Sequence, residues 1–473
     1  MAGVVVAAVL LSVSAVAFAG READLPGRID AALSDPVLKH GIQGIVIRSL
    51  KDGRVLYEKN ADTALLPASN LKLLVSATAL DKLGPDFRFT TAAYTTAAPA
   101  GGTLKGDVVL VGKGDPVFDI SDLQAMVDKL KQSGVAKLDG NVVVDDSRFD
   151  DIPFGWGWAW DDQSYYYAAQ VSALNLNENV VDVSVRPALQ VGGRPSVRLD
   201  PPTSYMVTRN ESVTTEAGAE KALAVERARG RNTIIVKGTV PIDYKPTSAE
   251  ESITMEDPAL FTGRTFVEMA RRAGIEVTGQ EVRGKLPDGA TLLASHDSPP
   301  LSELLARLNK PSDNLIAECL LKTLSAEANG KGTTAGGVRI ELAFMEKAGL
   351  DMTALGIIDG SGLSRQNVIS SRNLMTLLEH MYRHKHSRVF IDSLPVAAVD
   401  GTLKRRMAGT AAEGNVRAKT GYLNRVSTVS GYVTTKAGEP LVFSIVMNNH
   451  LCRNKEATAV QDSILVALAE LDR

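Results

Sequence analysis

A change of texture partway along the chain constrains its fold more than any single motif. Residues 43–58, QGIVIRSLKDGRVLYE, read as two alternating strands joined at Lys51-Asp52-Gly53, a strong hairpin signal. An apolar helical run, LPASNLKLLVSATAL, occupies 66–80; Leu71, Leu74, Val75 and Leu80 fall on one face, and Gly84-Pro85 ends it. From about residue 88, Thr and Gly become frequent and short strand-like runs take over: DVVLVG (107–112), NVVVDD (141–146), NVVDVSVRP (179–187) and NTIIVKGTV (232–240). A helix at 121–133 and the aromatic stretch FGWGWAWDDQSYYY (154–167) lie between them. Helical periodicity returns at 259–273 and strongly at 301–328. Helices at 333–348 and 371–383, strands at 416–419, 426–434 and 440–447, and a closing helix at 456–470 complete the chain. Strands near both ends with helices between predict one discontinuous α/β (α+β) domain, whose sheet is completed by distant segments. The pattern assigns 20–87 and 261–473 to that domain. It assigns 88–260 to an inserted, mostly β region of two nested subdomains, since insertions are tolerated where chain ends lie close together.

A length of 473 residues exceeds one compact core, in keeping with that division. The formal charge of −3 carries no basic excess, which argues against a nucleic-acid partner. Residues 3–19, GVVVAAVLLSVSAVAFA, hold no charge, and Ala17-Phe18-Ala19 fits a small-x-small cleavage site before charged sequence. Residues 1–19 therefore read as a secretory signal peptide, although no Lys or Arg precedes the apolar stretch; an uncleaved anchor is the alternative. Secretion to the periplasm or beyond is the expected location. Cys319 and Cys452 are the only cysteines, far apart and without metal-ligand spacing, so sequence alone does not decide whether they pair.

Three short elements carry chemistry. Ser69 and Lys72 sit at i and i+3 at the head of the first helix, in the only S-x-x-K of the chain. That spacing puts a lysine within reach of a serine hydroxyl, a weak nucleophile that needs a base, and a helix N-terminus favours a developing alkoxide. NKPSDNLIAE (309–318) places Ser312 and Asn314 on a loop entering a helix, where they could relay a proton and hold an amide. VRAKTGYLNRV (416–426) puts Lys419, Thr420, Gly421 and Tyr422 on a β-run, where glycine admits close approach of an extended peptide and the lysine suits a terminal carboxylate. Each element has a plainer reading: two helix caps and a lysine-guarded edge strand. A second S-x-N, Ser371-Arg372-Asn373, opens the helix at 371–383 and is assigned to capping.

In the order S-x-x-K, S-D-N, K-T-G, the three match the motif set of penicillin-binding proteins and serine β-lactamases. The chain resembles the low-molecular-mass penicillin-binding proteins of the D-alanyl-D-alanine carboxypeptidase/endopeptidase branch, marked by a large insertion between the first two motifs. Here 243 residues separate Ser69 from Ser312. PASNLKLL (67–74), GDVVLVGKGDP (106–116), SDNLIAE (312–318), IDGSGLS (358–364), AVDGTLKRRM (398–407) and AKTG (418–421) extend the likeness over nearly the whole mature chain.

The resemblance implies a transpeptidase/β-lactamase-like domain with a central antiparallel sheet flanked by helices. It implies acylation of Ser69 by a D-Ala-D-x carbonyl, Lys72 as base, Ser312 as proton relay and Asn314 ordering the site. Lys419 and Thr420 would hold the terminal carboxylate, Gly421 would admit the substrate, and the N–H groups of Ser69 and Tyr422 would bind the oxyanion. The implied partners are the D-Ala-D-Ala stem peptide of peptidoglycan and β-lactams, with no cofactor and no metal, and with peripheral membrane or cell-wall association left open. Such proteins usually carry Thr or Ser directly after K-T-G; Tyr422 departs from that, which bears on substrate preference or rate. Rival readings are a β-lactamase or esterase on the same fold and a non-catalytic wall-binding scaffold.

Other signals are set aside. His380, His384 and His386 mark a polar helix end without acidic or cysteine partners at ligand spacing. Trp156, Trp158 and Trp160 could stack on sugars, but the burial tendency of tryptophan predicts a core or subdomain interface.

Overall fold

The computed structural model describes residues 25–472. The signal-peptide reading of 1–19 falls outside the described residues. The chain divides into two compact units: the first gathers the chain up to Asp86, Leu301–Asp313 and the chain from Val338 onward, and the second comprises Phe87–Pro300 and Asn314–Gly337.

The first unit is built on one antiparallel sheet. Its elements in chain order are α1 (Leu25–Leu33), β1 (Ile42–Ser49), β2 (Val55–Lys59), α2 (Lys72–Lys82), α3 (Leu301–Asn309), α4 (Ser371–Arg383), β3 (Arg417–Leu423), β4 (Val426–Thr434), β5 (Pro440–Asn448) and α5 (Asn454–Ala469). The strand order is β3-β4-β5-β1-β2, so β5 from the C-terminal end pairs with β1 along its length, Ile42 opposite Asn448 and Ser49 opposite Leu441. Strands β4 and β5 are buried almost throughout, because helices cover both faces. On one face, Leu25, Ile29 and Leu33 of α1 and Val460, Ile464, Leu465 and Leu468 of α5 pack on Ile45, Ile47, Val429 and Phe443. Each such side chain contributes about 1.5–3 kcal/mol on burial. Helix α5, the closing helix expected from sequence, is thus a sheet-covering helix. Helix α4 packs on β1, β4 and β5; Ser371 Oγ donates to Gly44 O of β1 at 2.7 Å and Tyr432 Oη of β4 to Leu378 O at 2.7 Å.

The cap of α4 differs from the sequence reading by one residue. Ser370, not Ser371, accepts from the Asn373 N–H, at 3.1 Å, which frees Ser371 to hold β1 and Asn373 to exchange two hydrogen bonds of 2.8 Å with the Asp351 backbone. The helical stretch read at 301–328 is also broken. Helix α3 ends at Asn309 and the next helix begins at Asn314, because Pro311 disfavours helical geometry in the residue before it and Ser312 takes φ +72°.

The second unit contains a five-stranded mixed sheet in the order Glu281–Arg283, Val142–Asp145, Val108–Gly112, Thr90–Thr95, Thr291–Asp297, with helices Ile120–Gln132 and Pro258–Arg272. Three three-stranded sheets accompany it, centred on Lys137–Leu138, Val180–Arg186 and Thr233–Pro241. One apolar cluster runs through all of these, from Ala93 and Val144 to Val183, Ile234 and Phe266. The sequence reading ended this region at 260. The compact unit extends to Pro300 because Thr291–Asp297 pairs antiparallel with Thr90–Thr95 at the sheet edge.

The tryptophan expectation fails. Trp156 and Trp160 are 74% and 65% exposed. The 154–160 segment is irregular, and Trp158 folds back over Gly155 and against Phe154 while its neighbours face outward. Cys319 is buried in the second unit and Cys452 partly buried in the first, and neither is in a disulfide. Among the described residues, no helix is long and apolar enough to cross a membrane.

Candidate active site

The motif serine sits on a strained turn. Residues Ala68–Leu71 form a single 3-10 turn that runs directly into α2, and Ala68 takes φ +46°, outside the comfortable range of a residue with a Cβ. Such a conformation costs about 1–3 kcal/mol and persists only where surroundings over-determine it. Here they do: Asn70 Nδ2 donates to Ser430 Oγ on β4 at 2.7 Å, Ser430 Oγ donates to Ser444 Oγ on β5 at 2.9 Å, and Thr428 Oγ1 donates to Pro67 O at 2.9 Å. The turn is therefore bolted to the middle of the sheet.

Lys72, at the start of α2, is fully buried. Its Nζ donates to Ser69 Oγ at 2.9 Å and to the backbone carbonyl of Ser361 at 2.6 Å. The second contact comes from the IDGSGLS loop (358–364), which entered the sequence analysis only as a segment of family likeness. The buried Asp359 carboxylate organises that loop, accepting from Gly362 N (2.8 Å), Ser364 N (2.7 Å) and Asn367 Nδ2 (2.8 Å). Gly362 is required twice over. It takes φ +82°, and a Cβ there would stand 2.0 Å from Ala68 O.

The K-T-G residues lie on β3, the edge strand of the sheet. Lys419 is fully buried beneath it; its Nζ donates to Ser312 Oγ at 2.8 Å and to Thr420 O at 2.7 Å. Burial, and secondly the charge of Lys72, hold Lys419 well below the ordinary lysine range. Gly421 presses on the serine turn: a Cβ would lie 2.3 Å from Thr428 Oγ1, 2.8 Å from Ser69 N and 2.9 Å from Pro67 O. Ala418 N donates away from the sheet to Pro395 O at 3.0 Å. By the alternation of an antiparallel ladder, the N–H groups of Thr420 and Tyr422 point off the same free edge. The Tyr422 side chain is 59% exposed.

The structure thus brings Ser69, Lys72, Ser312, Lys419, Thr420, Gly421 and Tyr422 into one compact unit. Asn314 opens the helix Asn314–Asn329, which is grouped with the second unit, and there its Nδ2 donates to Tyr167 O at 2.6 Å. Sequence reasoning missed the Ser361 carbonyl, because any residue type supplies one. It also missed Thr402, whose Oγ1 accepts from Thr420 Oγ1 at 2.6 Å. The hint was its place in AVDGTLKRRM (398–407), one of the segments that carry the family likeness, just after the Asp400-Gly401 turn signal. Among the described residues no group of three or more His, Cys, Asp or Glu is arranged to hold a metal ion.

A partly buried serine and a buried lysine beside the edge strand of a helix-covered antiparallel sheet belong to the penicillin-binding and β-lactamase-like class of folds. The crystal structure of penicillin binding protein 4 (dacB) from Haemophilus influenzae has that fold; it aligns with a TM-score of 0.82 at 25% identity, covering 92% of this chain and 97% of that one. A D-alanyl-D-alanine carboxypeptidase of Actinomadura sp. (strain R39) is 39% identical over 466 residues, 95% of this chain and 85% of the relative. The D-alanyl-D-alanine carboxypeptidase DacB of Haemophilus influenzae is 26% identical over 410 residues, 86% of this chain and 85% of the relative. Residues 25–471 match the D-Ala-D-Ala carboxypeptidase 3 (S13) family, and the chain belongs to that family of serine-type carboxypeptidases.

Proposed function

We propose that Ser69 is the nucleophile of this carboxypeptidase and Lys72 its base, acting on the D-Ala-D-Ala end of peptidoglycan stem peptides. Ser69 Oγ attacks the penultimate carbonyl carbon and gives its proton to neutral Lys72 Nζ. The oxyanion is met by the N–H groups of Ser69 and Tyr422, each such donor being worth about 2.7–4 kcal/mol in the transition state. As the C–N bond breaks, Ser312 passes the proton to the leaving amine, and water then hydrolyses the acyl-enzyme. Lys419 and Thr420 hold the substrate carboxylate, Gly421 lets the peptide lie against the strand edge, and Asn314 orders the substrate amide. One observation carries the reading: the Nζ of a fully buried lysine lies 2.9 Å from the serine hydroxyl.

β-Lactams acylate the same serine, and action lies outside the cytoplasm, where the stem peptides are. Cross-links are cleaved by the same acyl-enzyme with a different leaving amine. The test is labelling by a fluorescent penicillin beside Ser69→Ala and Lys72→Ala. Stable label lost in both variants is the expected result; label that survives Ser69→Ala overturns the assignment.

A further inference from the structure

Beside the edge strand, a turn presents a second hydroxyl that none of the three motifs contains. Residues Gly401–Leu403 form a short 3-10 turn packed against β3, and Thr402 Oγ1 stands 2.6 Å from Thr420 Oγ1, with the pair open to solvent. The turn is rigidly placed. Thr402 N donates to Lys310 O at 3.0 Å and Ala398 N to Leu403 O at 3.0 Å. The Asp400 carboxylate accepts from Val396 N at 2.9 Å and pairs with the Lys310 ammonium. Lys310 in turn lies two residues before Ser312, the serine on which Lys419 rests. The braces thus tie the Thr402 hydroxyl to the same loop and strand that hold the Lys419 ammonium.

Two hydroxyl oxygens 2.6 Å apart are close enough to face the two oxygens of one carboxylate. One hydroxyl hydrogen is spent between them. When an anion arrives, both can rotate outward, so that each donates to a different oxygen, as in other two-pronged recognition of carboxylates. We propose that Thr402 is a specificity-determining residue, the second prong with Thr420 of a hydroxyl fork that recognises the substrate's free C-terminal carboxylate. The neighbouring position of the strand, Tyr422, offers an exposed phenol and no short hydroxyl. The fork is therefore completed from a different segment. This inference rests on the assignment of Ser69 and Lys419 above.

The experiment measures kcat and KM for an acyl-D-Ala-D-Ala peptide and for the same peptide amidated at its C-terminus, with wild type, Thr402→Ala and Thr402→Ser. A hydrogen bond to a charged group is worth about 1.5–3 kcal/mol, so Thr402→Ala should lower the acid-over-amide preference in kcat/KM by about tenfold or more, mainly through KM. Thr402→Ser should keep most of it. An unchanged preference, or an equal fall on both substrates, would show that Thr402 only braces the turn and would overturn the proposal. Penicillin labelling of wild type and Ser69→Ala is run alongside. If label survives Ser69→Ala, the nucleophile assignment fails; if label is lost there but the preference is unchanged in Thr402→Ala, only the fork fails.

Discussion

Lys419 holds its ammonium 2.8 Å from the hydroxyl of Ser312, a residue whose φ of +72° is otherwise favourable only to glycine. Backbone preference and side-chain contact therefore pull in opposite directions at this position, and a substitution can separate them. In Ser312→Gly the strain is relieved and the hydroxyl removed. The melting temperature should hold or rise, while acylation by penicillin falls by about 10²-fold or more, the range for a lost proton-transfer group. A fall in both together would indicate that the serine is structural.

The depressed pKa of Lys419 predicts a pH-dependent stability gap. Between its folded value and the ordinary lysine value near 10.4, the unfolded chain binds a proton that the folded chain does not, so stability rises with pH across that window. Below the folded value the burial penalty is present in full. Lys419→Met lacks this term. Its stability relative to wild type should therefore be most favourable near neutral pH and should decline steadily as pH approaches about 10, as read by denaturant unfolding at each pH. A gap independent of pH would place the proton elsewhere.

Gly421 offers a steric test of the contact between strand and serine turn. Its missing side chain leaves space for Thr428 Oγ1 and the Ser69 backbone. Gly421→Ala should destabilise by about 1–3 kcal/mol and slow penicillin acylation, because the turn that carries Ser69 must move to make room. Unchanged acylation with reduced stability would mean that the strand yields instead of the turn.

Asp359 shapes the loop whose carbonyl meets Lys72. Asp359→Ala leaves at least two buried N–H groups without their acceptor, for a loss of about 1–3 kcal/mol for each. Acylation should fall in parallel. The variant's thermal unfolding and its rate of penicillin labelling together check this.

The sequence made some of this visible and hid the rest for physical reasons. Ser69, Lys72, Ser312 and Lys419 were legible because their chemistry depends on residue type and spacing. The hairpin of β1 and β2, helix α4 and strands β3 to β5 were legible from periodicity and turn residues. The contributions of the Ser361 carbonyl and of Asp359 were not, since one is backbone and the other acts through a fold-back of the chain. The exposed Trp156 and Trp160 ran against a burial tendency that holds only on average. The break after α3 was written in Pro311, but the left-handed turn at Ser312 was set by contacts from β3, more than 100 residues away.

Strand β5 lies between β4 and β1, and it is the last strand of the chain. A nascent polypeptide that has reached Gly421 already contains every residue of the three motifs, but the strand that lies between β4 and β1 is still to be made. The sheet that carries both the serine turn and the edge strand therefore becomes continuous only once Pro440–Asn448 has been made, and a chain stopped before it should lack the continuous sheet on which acylation depends.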